Sequence, residues 1–281
     1  MNICVLKDRI TVDMSGYEEQ LLEGYAPKKA QRPAEANLFD DDDTLELLVN
    51  SDRESLHSRV CKLLYLAKRT RLDILTAVSH LASRVKKPNA QDKRKLDQVY
   101  DYLATTKGSA LQLMKGNRTA MCAYIDASYA PHEGAYSRSG IVVYMAGACI
   151  LGWSAKQKTV TKSSCEAEIM ALSDGLSHVL WVRHLLQAQG YVGSSDPTIV
   201  YEDNKGVIDL MANDHPPRHN TRHVDIRNFW AREQIKLGEI VIVYVPTASM
   251  IADLMTKPVV GVLFSNLVRM LMGYQRRPVD C

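Results

Sequence analysis

Between residues 54 and 86 the hydrophobic positions recur at steps of three and four: Leu63, Leu64 and Ala67, then Ile74, Leu75, Val78, Leu81 and Ala82. That spacing puts them on one face of a helix. The basic KRTR stretch at 68 to 71 interrupts the pattern, and Asp73 stands where it would cap a second helix. Residues 91 to 104 predict a third helix, with Leu96, Val99, Tyr100 and Leu103 on one side and the TTKG at 105 to 108 as its stop. Residues 50 to 105 therefore read as a small helical unit. Ahead of it, ICVLKDRITV (3 to 12) reads as two short strands around a Lys-Asp turn, and GYEEQLLEGY (16 to 25) as a short helix. The KKAQRPAEANLFDDDD between them is polar, carries proline and follows no period, so it reads as a loop. Consecutive aspartates point in different directions and repel one another, which predicts a solvated linker for Asp40–Asp43.

After residue 118 the pattern changes. Residues 119 to 126, 139 to 146 and 148 to 154 are short, rich in apolar and branched side chains, and separated by Gly or Ser turns. They predict three consecutive strands, mostly in antiparallel hairpins. A long helix over 164 to 190 follows, then a strand at Thr198–Asp203 and a helix from about 204 to 213. HPPRHNT breaks the chain before another helix, about 222 to 237. EIVIVYV is a fifth strand, a further helix begins near Ser249, and an amphipathic one spans about 260 to 272. The expected result is an α/β fold, a mixed five-stranded sheet with helices on its faces.

Composition narrows the class without naming an activity. The 281 residues are 46% hydrophobic and 24% charged, as in ordinary globular proteins, with a formal net charge of +3. Mild basicity is compatible with nucleic acid. Six cysteines without CxxC spacing argue against a disulfide framework or zinc site and fit a reducing, intracellular setting. No apolar run approaches the roughly 20 residues of a membrane span, so no membrane partner is expected.

The chemistry sits in the acids of the second region. Asp126 stands where the first strand is expected to end, and Asp203 ends the strand made after the long helix. If those strands are parallel neighbours, both aspartates emerge together at one sheet edge. On the helix, Glu168 shares its face with Leu172, Leu176 and Val179, whereas Glu166 shares a mixed face with Met170, Ser173 and Ser177. Helical phase thus aims Glu168 inward and Glu166 toward solvent. Asp253, in IADLMTKP, supplies a fourth acid at the start of a helix. Any one of these alone reads as a cap, a solvated strand end or a salt-bridge partner. Crowded together they repel, and a hard divalent cation, Mg²⁺ or Mn²⁺, relieves that repulsion. Two such ions about 4 Å apart support phosphodiester cleavage. Ser154, Lys156, Gln157, Lys158 and Lys162 precede the Glu168 helix and suit phosphate contact, as do Asn204 and Arg222; an ordinary solvated loop is the plain alternative. Arg218, Arg222, Arg227 and Arg232 cluster with His215, His219 and His223, which lack a clean metal-ligand set. Trp153, Trp181 and Trp230 read as core or groove-wall residues.

Five segments in this order carry a family resemblance: AYIDASYA, SRSGIVVYMAGACILGWSAKQKTVTKSSCEAEIMAL, YEDNKGVIDL, RHVDIRNFWARE and IADLMTKP. Together, over about 118 to 274, they resemble the ribonuclease H domain of Ty1/copia-type retrotransposon Pol polyproteins. KLLYLAKRTRLDILTAVSHLAS resembles the connection preceding that domain, and residues 1 to 26 resemble the tail of the reverse transcriptase. The resemblance implies a ribonuclease H-like sheet preceded by a small, mainly helical connection region. Its divisions are 1–45 (polymerase remnant and linker), 46–117 (connection), 118–274 (ribonuclease H-like) and 275–281 (tail). It implies hydrolysis of the RNA strand of RNA–DNA hybrids by two Mg²⁺ or Mn²⁺ ions on Asp126, Glu168, Asp203 and Asp253. Partners would be the hybrid and the reverse transcriptase or integrase parts of the same polyprotein. There are departures: Cys165 stands where the family usually has Thr, Asn228 and Phe229 replace an aromatic-His pair, Leu72 replaces a frequent proline, and no YVDD-type polymerase pair is present. No polymerase activity is therefore expected of the chain. A non-catalytic or domesticated remnant that binds nucleic acid is the alternative reading.

Overall fold

The computed structural model describes residues 1–114, 121–193, 195–212 and 222–275. They form two compact units, one of residues 1–114 with 257–275, the other within 115–256.

The first unit opens with strands β1 (Asn2–Val5) and β2 (Arg9–Asp13). Helix α1 (Ser15–Leu22) follows, then α2 (Asn50–Ala67), α3 (Leu75–Arg84) and α4 (Ala90–Thr105). Strand β3 (Leu111–Met114) completes an antiparallel sheet in the order β1-β2-β3. Its four residues, LQLM, are too few to announce themselves by alternation. The predicted helical faces are the buried ones: Leu63, Val78, Leu81, Leu96, Val99 and Leu103 are shielded from solvent. Asp73 does not cap α3. Its carboxylate instead accepts from Arg71 Nε at 3.0 Å and Nη2 at 2.9 Å and from the Tyr102 hydroxyl at 2.8 Å. Arg71 also donates to Glu18 at 3.0 Å, so one buried cation ties α1 to the turn before α3.

The acidic run is not a solvated linker throughout. Asp41 is half-buried, accepting from Lys95 Nζ at 2.7 Å and lying 3.2 Å from His80 Nε2, while Asp43 accepts from Arg84 at 2.6 Å. The basic side chains that hold it come from α3 and α4, some forty to fifty positions away, beyond the reach of a local charge rule.

The second unit is an α/β fold built on a mixed five-stranded sheet. Strands β4 (Met121–Ser128), β5 (Tyr136–Met145) and β6 (Ala148–Val160) form an antiparallel meander. Helix α5 (Ser164–Ala188) leads to β7 (Thr198–Glu202), α6 (Lys205–Ala212), α7 (Arg222–Lys236) and β8 (Ile240–Tyr244). A short turn of helix, α8 (Asp253–Thr256), closes the unit. The sheet order is β6-β5-β4-β7-β8, with β4, β7 and β8 parallel. Helix α9 (Gly261–Leu271), which the sequence reading grouped with this region, lies in the first unit.

Helix α5 packs on β4 and β5. Its phase is as expected: Leu172, Leu176 and Val179 are fully buried beside Ile125, Ile141 and Val143. Gly175 allows the close approach, since a Cβ there would stand 2.8 Å from Ile125 Cδ1 and 3.1 Å from Ile141 Cγ1. Trp153 and Trp230 pack partly buried against this core, but Trp181 is 65% exposed, contrary to the expected core or groove-wall role. Among the described residues no helix is long and apolar enough to cross a membrane.

Candidate metal centre

Strand register brings the first two acids together. Tyr124 of β4 lies opposite Tyr201 of β7 in the parallel ladder. Asp126 and Asp203 each follow two residues later, so they reach the same level of adjacent chains. Asp126 does not end its strand, as the sequence suggested. It is fully buried within β4, opposite Gly140 of β5. Asp203 follows β7, half-buried, and accepts from Thr247 Oγ1 at 2.7 Å. Glu168 comes from the second turn of α5 and is buried, on the face that Leu172 and Leu176 share. Asp126, Glu168 and Asp203 each present one carboxylate oxygen, and these atoms lie within 4.8 Å of one another.

Glu166 stays out of this group for a local reason. Ser163 caps α5 by accepting from the Glu166 N–H at 3.2 Å, and the Glu166 carboxylate accepts from the Lys162 N–H at 2.7 Å. The cap is thus Ser163, which Cys165 leaves untouched. Asp253 is buried at the start of α8 but does not belong to the three-acid group. It is tied to Asp126 through Thr256, whose hydroxyl donates to Asp126 Oδ2 and lies 3.3 Å from the Asp253 carbonyl oxygen.

Two further residues escaped the sequence reading. Glu202, last in β7, is fully buried; its Oε1 accepts from the Asn204 N–H at 3.0 Å, and its Oε2 has no hydrogen-bond partner among the described residues. Burial, with the neighbouring charges of Asp126 and Asp203, pushes its carboxyl up to about 8. Thr256 is the other. Both stand inside the motifs, in YEDN and LMTK, but spacing alone does not tell which neighbour of an acid points inward. Burial also raises the half-buried Cys165 thiol, together with the charges of Glu202 and Glu166.

The donor set suits a divalent cation: three carboxylates converge where burial and mutual repulsion disfavour leaving their charge uncompensated. Hard oxygen ligands without sulfur or imidazole match Mg²⁺ or Mn²⁺ better than zinc.

The residues expected to meet phosphate divide. Lys156, Lys158 and Lys162 are exposed along the end of β6 and the following turn. Lys156 Nζ stands 4.5 Å from the Tyr136 ring centre. Ser154 and Gln157 point inward. Ser154 Oγ accepts from Arg138 Nη1 at 2.8 Å and donates to the Met255 carbonyl, and Gln157 donates to Ser139 Oγ and the Ala167 carbonyl, each at 2.9 Å. Asn204 caps α6, accepting from the Gly206 N–H at 3.0 Å. His215, Arg218 and His219, and the side chains of Arg222 and His223, lie outside the described residues.

No family model matches the chain. A Retrovirus-related Pol polyprotein from transposon RE2 of Arabidopsis thaliana is 35% identical over 215 residues, covering 75% of this chain and 14% of that protein. The corresponding polyprotein from transposon RE1 of the same plant is 34% identical over 212 residues, with coverages of 74% and 14%. The chain thus spans 14% of the length of these curated relatives. Among solved structures, the N-terminal RNase H domain of Rv2228c from Mycobacterium tuberculosis, fused to maltose-binding protein, matches 54% of this chain and 97% of that chain. Its sequence identity is 16% and its TM-score 0.37.

Proposed function

We propose, from the homology of this chain to the Pol polyproteins of Ty1/copia-type retrotransposons, that its second unit is a metal-dependent ribonuclease H. It would hydrolyse the RNA strand of RNA–DNA hybrids during retrotransposon replication. The observation that carries this reading is the convergence of Asp126, Glu168 and Asp203 from a strand, a helix and a strand end to within 4.8 Å. In this reading those three carboxylates hold the cation, and Asp253 serves the same site from α8. A bound pair of Mg²⁺ or Mn²⁺ ions supplies an activated water and stabilises the leaving oxygen of the phosphodiester.

The chain's own groups do the rest. Lys156, Lys158 and Lys162 offer exposed positive charge to the phosphate backbone, a contact that positions a duplex without reading its sequence. An A-form-like hybrid would be recognised by shape and 2′-hydroxyls. Ser154 and Gln157 serve this site from inside, by holding β6 against α8 and α5 respectively.

The test is hydrolysis of a labelled RNA–DNA hybrid with Mg²⁺, beside duplex DNA and duplex RNA of the same sequence. The expected outcome is cutting of the RNA strand of the hybrid by the wild-type chain and loss of cutting in Asp126→Asn. Cleavage no faster than that of the variant would overturn the proposal. Hybrid binding that persists without metal and without cleavage is the outcome a non-catalytic remnant requires.

A further inference from the structure

We propose that Thr256 is a positioning residue for Asp126, and that Gly140, Ser154 and Arg138 form the seat that delivers it; the inference rests on the metal-site reading above. Asp126, Gly140 and Ser154 form one row across β4, β5 and β6, because Gly140 pairs with Asp126 on one side and with Ser154 on the other. Paired residues share a sheet face. Helix α8 lies against all three strands, on this face. The middle of the row has to be glycine. A Cβ at Gly140 would come within 2.6 Å of Met255 Cβ, 2.6 Å of Thr256 Cγ2 and 3.0 Å of the Ala252 carbonyl oxygen. Real Cβ atoms do not approach so closely, so any side chain at Gly140 would lift α8 off the sheet.

One end of the row clamps the turn. Ser154 Oγ donates to the Met255 carbonyl, and Arg138, fully buried, fixes that hydroxyl by donating to it at 2.8 Å. At the other end the turn delivers its own hydroxyl. Thr256 is fully buried, and its Oγ1 donates to Asp126 Oδ2. A hydroxyl has one proton, and the carboxylate is the stronger acceptor, so the Asp253 carbonyl at 3.3 Å is a secondary contact. One oxygen of Asp126 is thereby occupied, and rotation of its carboxylate is arrested while the group faces Glu168 and Asp203. Partners of this kind around a metal ligand typically set metal affinity by about 10–100-fold. The same bond links the turn that begins at Asp253 to the three-acid group.

The experiment is calorimetric titration of Mn²⁺ into the full chain, for wild type, Thr256→Val and Thr256→Ser. Valine keeps the shape and removes the hydroxyl; serine keeps the hydroxyl. The expected result is Mn²⁺ affinity about 10-fold weaker in Thr256→Val and restored in Thr256→Ser. Far-UV dichroism in EDTA should be the same for all three. If Thr256→Val does not fold, Thr256→Ala reads the same loss. Wild-type affinity in a folded Val or Ala variant overturns the proposal. Hybrid cleavage, run separately, tells the two readings apart. Wild-type chain that binds no Mn²⁺ removes the metal site and this inference together. Wild-type chain that binds and cleaves, alongside a variant that binds equally well, removes the inference alone.

Discussion

Gly140 shows how one missing side chain sets the spacing of a site. Nothing in SRSGIVVYM marks it as more than a strand glycine, and only the packed turn explains it. Gly140→Ala is expected to destabilise the second unit by about 1–3 kcal/mol, the usual cost of overpacking. Urea unfolding followed by tryptophan emission measures this, and an unchanged midpoint would sink the argument from close approach. The neighbouring residue-scale questions were more legible. Glu168 could be chosen over Glu166 because helical phase is a local property, and its partners Leu172, Leu176 and Val179 are buried as that phase requires. Glu202 and Thr256 could not, because whether a residue beside an acid turns inward depends on a strand or turn far away in sequence. The inward turn of Ser154 and Gln157 is hidden for the same reason. Polar residues in a Lys-rich stretch look like a wet loop, whereas here they belong to a longer β6, with Ser154 turned toward α8 and Gln157 toward α5.

Elements with a clear pattern or clear turn boundaries stand where the sequence puts them, the short strands β1, β2, β7 and β8 among them. Helices α2 to α5 follow three- and four-residue steps over ten or more positions. Strand β3 and helix α8 have four residues each, and only their partners define them. The acidic loop before α2 is a third case, since its fixation depends on α3 and α4. Burial pushes the Asp41 carboxyl up, but hydrogen bonds from His80 and Lys95 outweigh it and hold the group below the usual carboxylate range. A depressed folded-state value means the stabilisation is present above the unfolded value of 3.8 and is lost as pH falls below it. Asp41→Asn is therefore expected to cost about 2 kcal/mol at neutral pH, as for a charge-assisted hydrogen bond. The difference from wild type should shrink as pH drops below about 4. Hydrogen exchange of peptides from α3 and α4 at the two pH values reports it. Equal protection in both proteins at neutral pH would show that the loop is not anchored by this carboxylate.

At the scale of the molecule, the order of strands and helices after residue 118 was enough to predict a mixed five-stranded sheet. The return of α9 to the first unit was not predictable, because an amphipathic period says that a face is covered and not by what. The division into units supplies a clean probe, since Trp153, Trp181 and Trp230 all fall within residues 115–256. Tryptophan emission on heating thus follows the unit that carries the three-acid group. Crowded carboxylates lose part of their mutual repulsion when a cation binds, and a ligand that binds only the folded state stabilises it by mass action. At a Mn²⁺ concentration 100 times Kd the gain is about 2.7 kcal/mol. The emission midpoint of the wild-type chain should therefore rise with Mn²⁺ and fall back when EDTA removes it. Asp126→Asn should show neither change. Without metal that variant should be no less stable than wild type, because one of the crowded charges is gone while an amide oxygen can still accept from Thr256. A midpoint indifferent to Mn²⁺ in the wild-type chain, or an equal rise in the variant, would mean that the convergence of Asp126, Glu168 and Asp203 does not bind the metal on which the proposed hydrolysis depends.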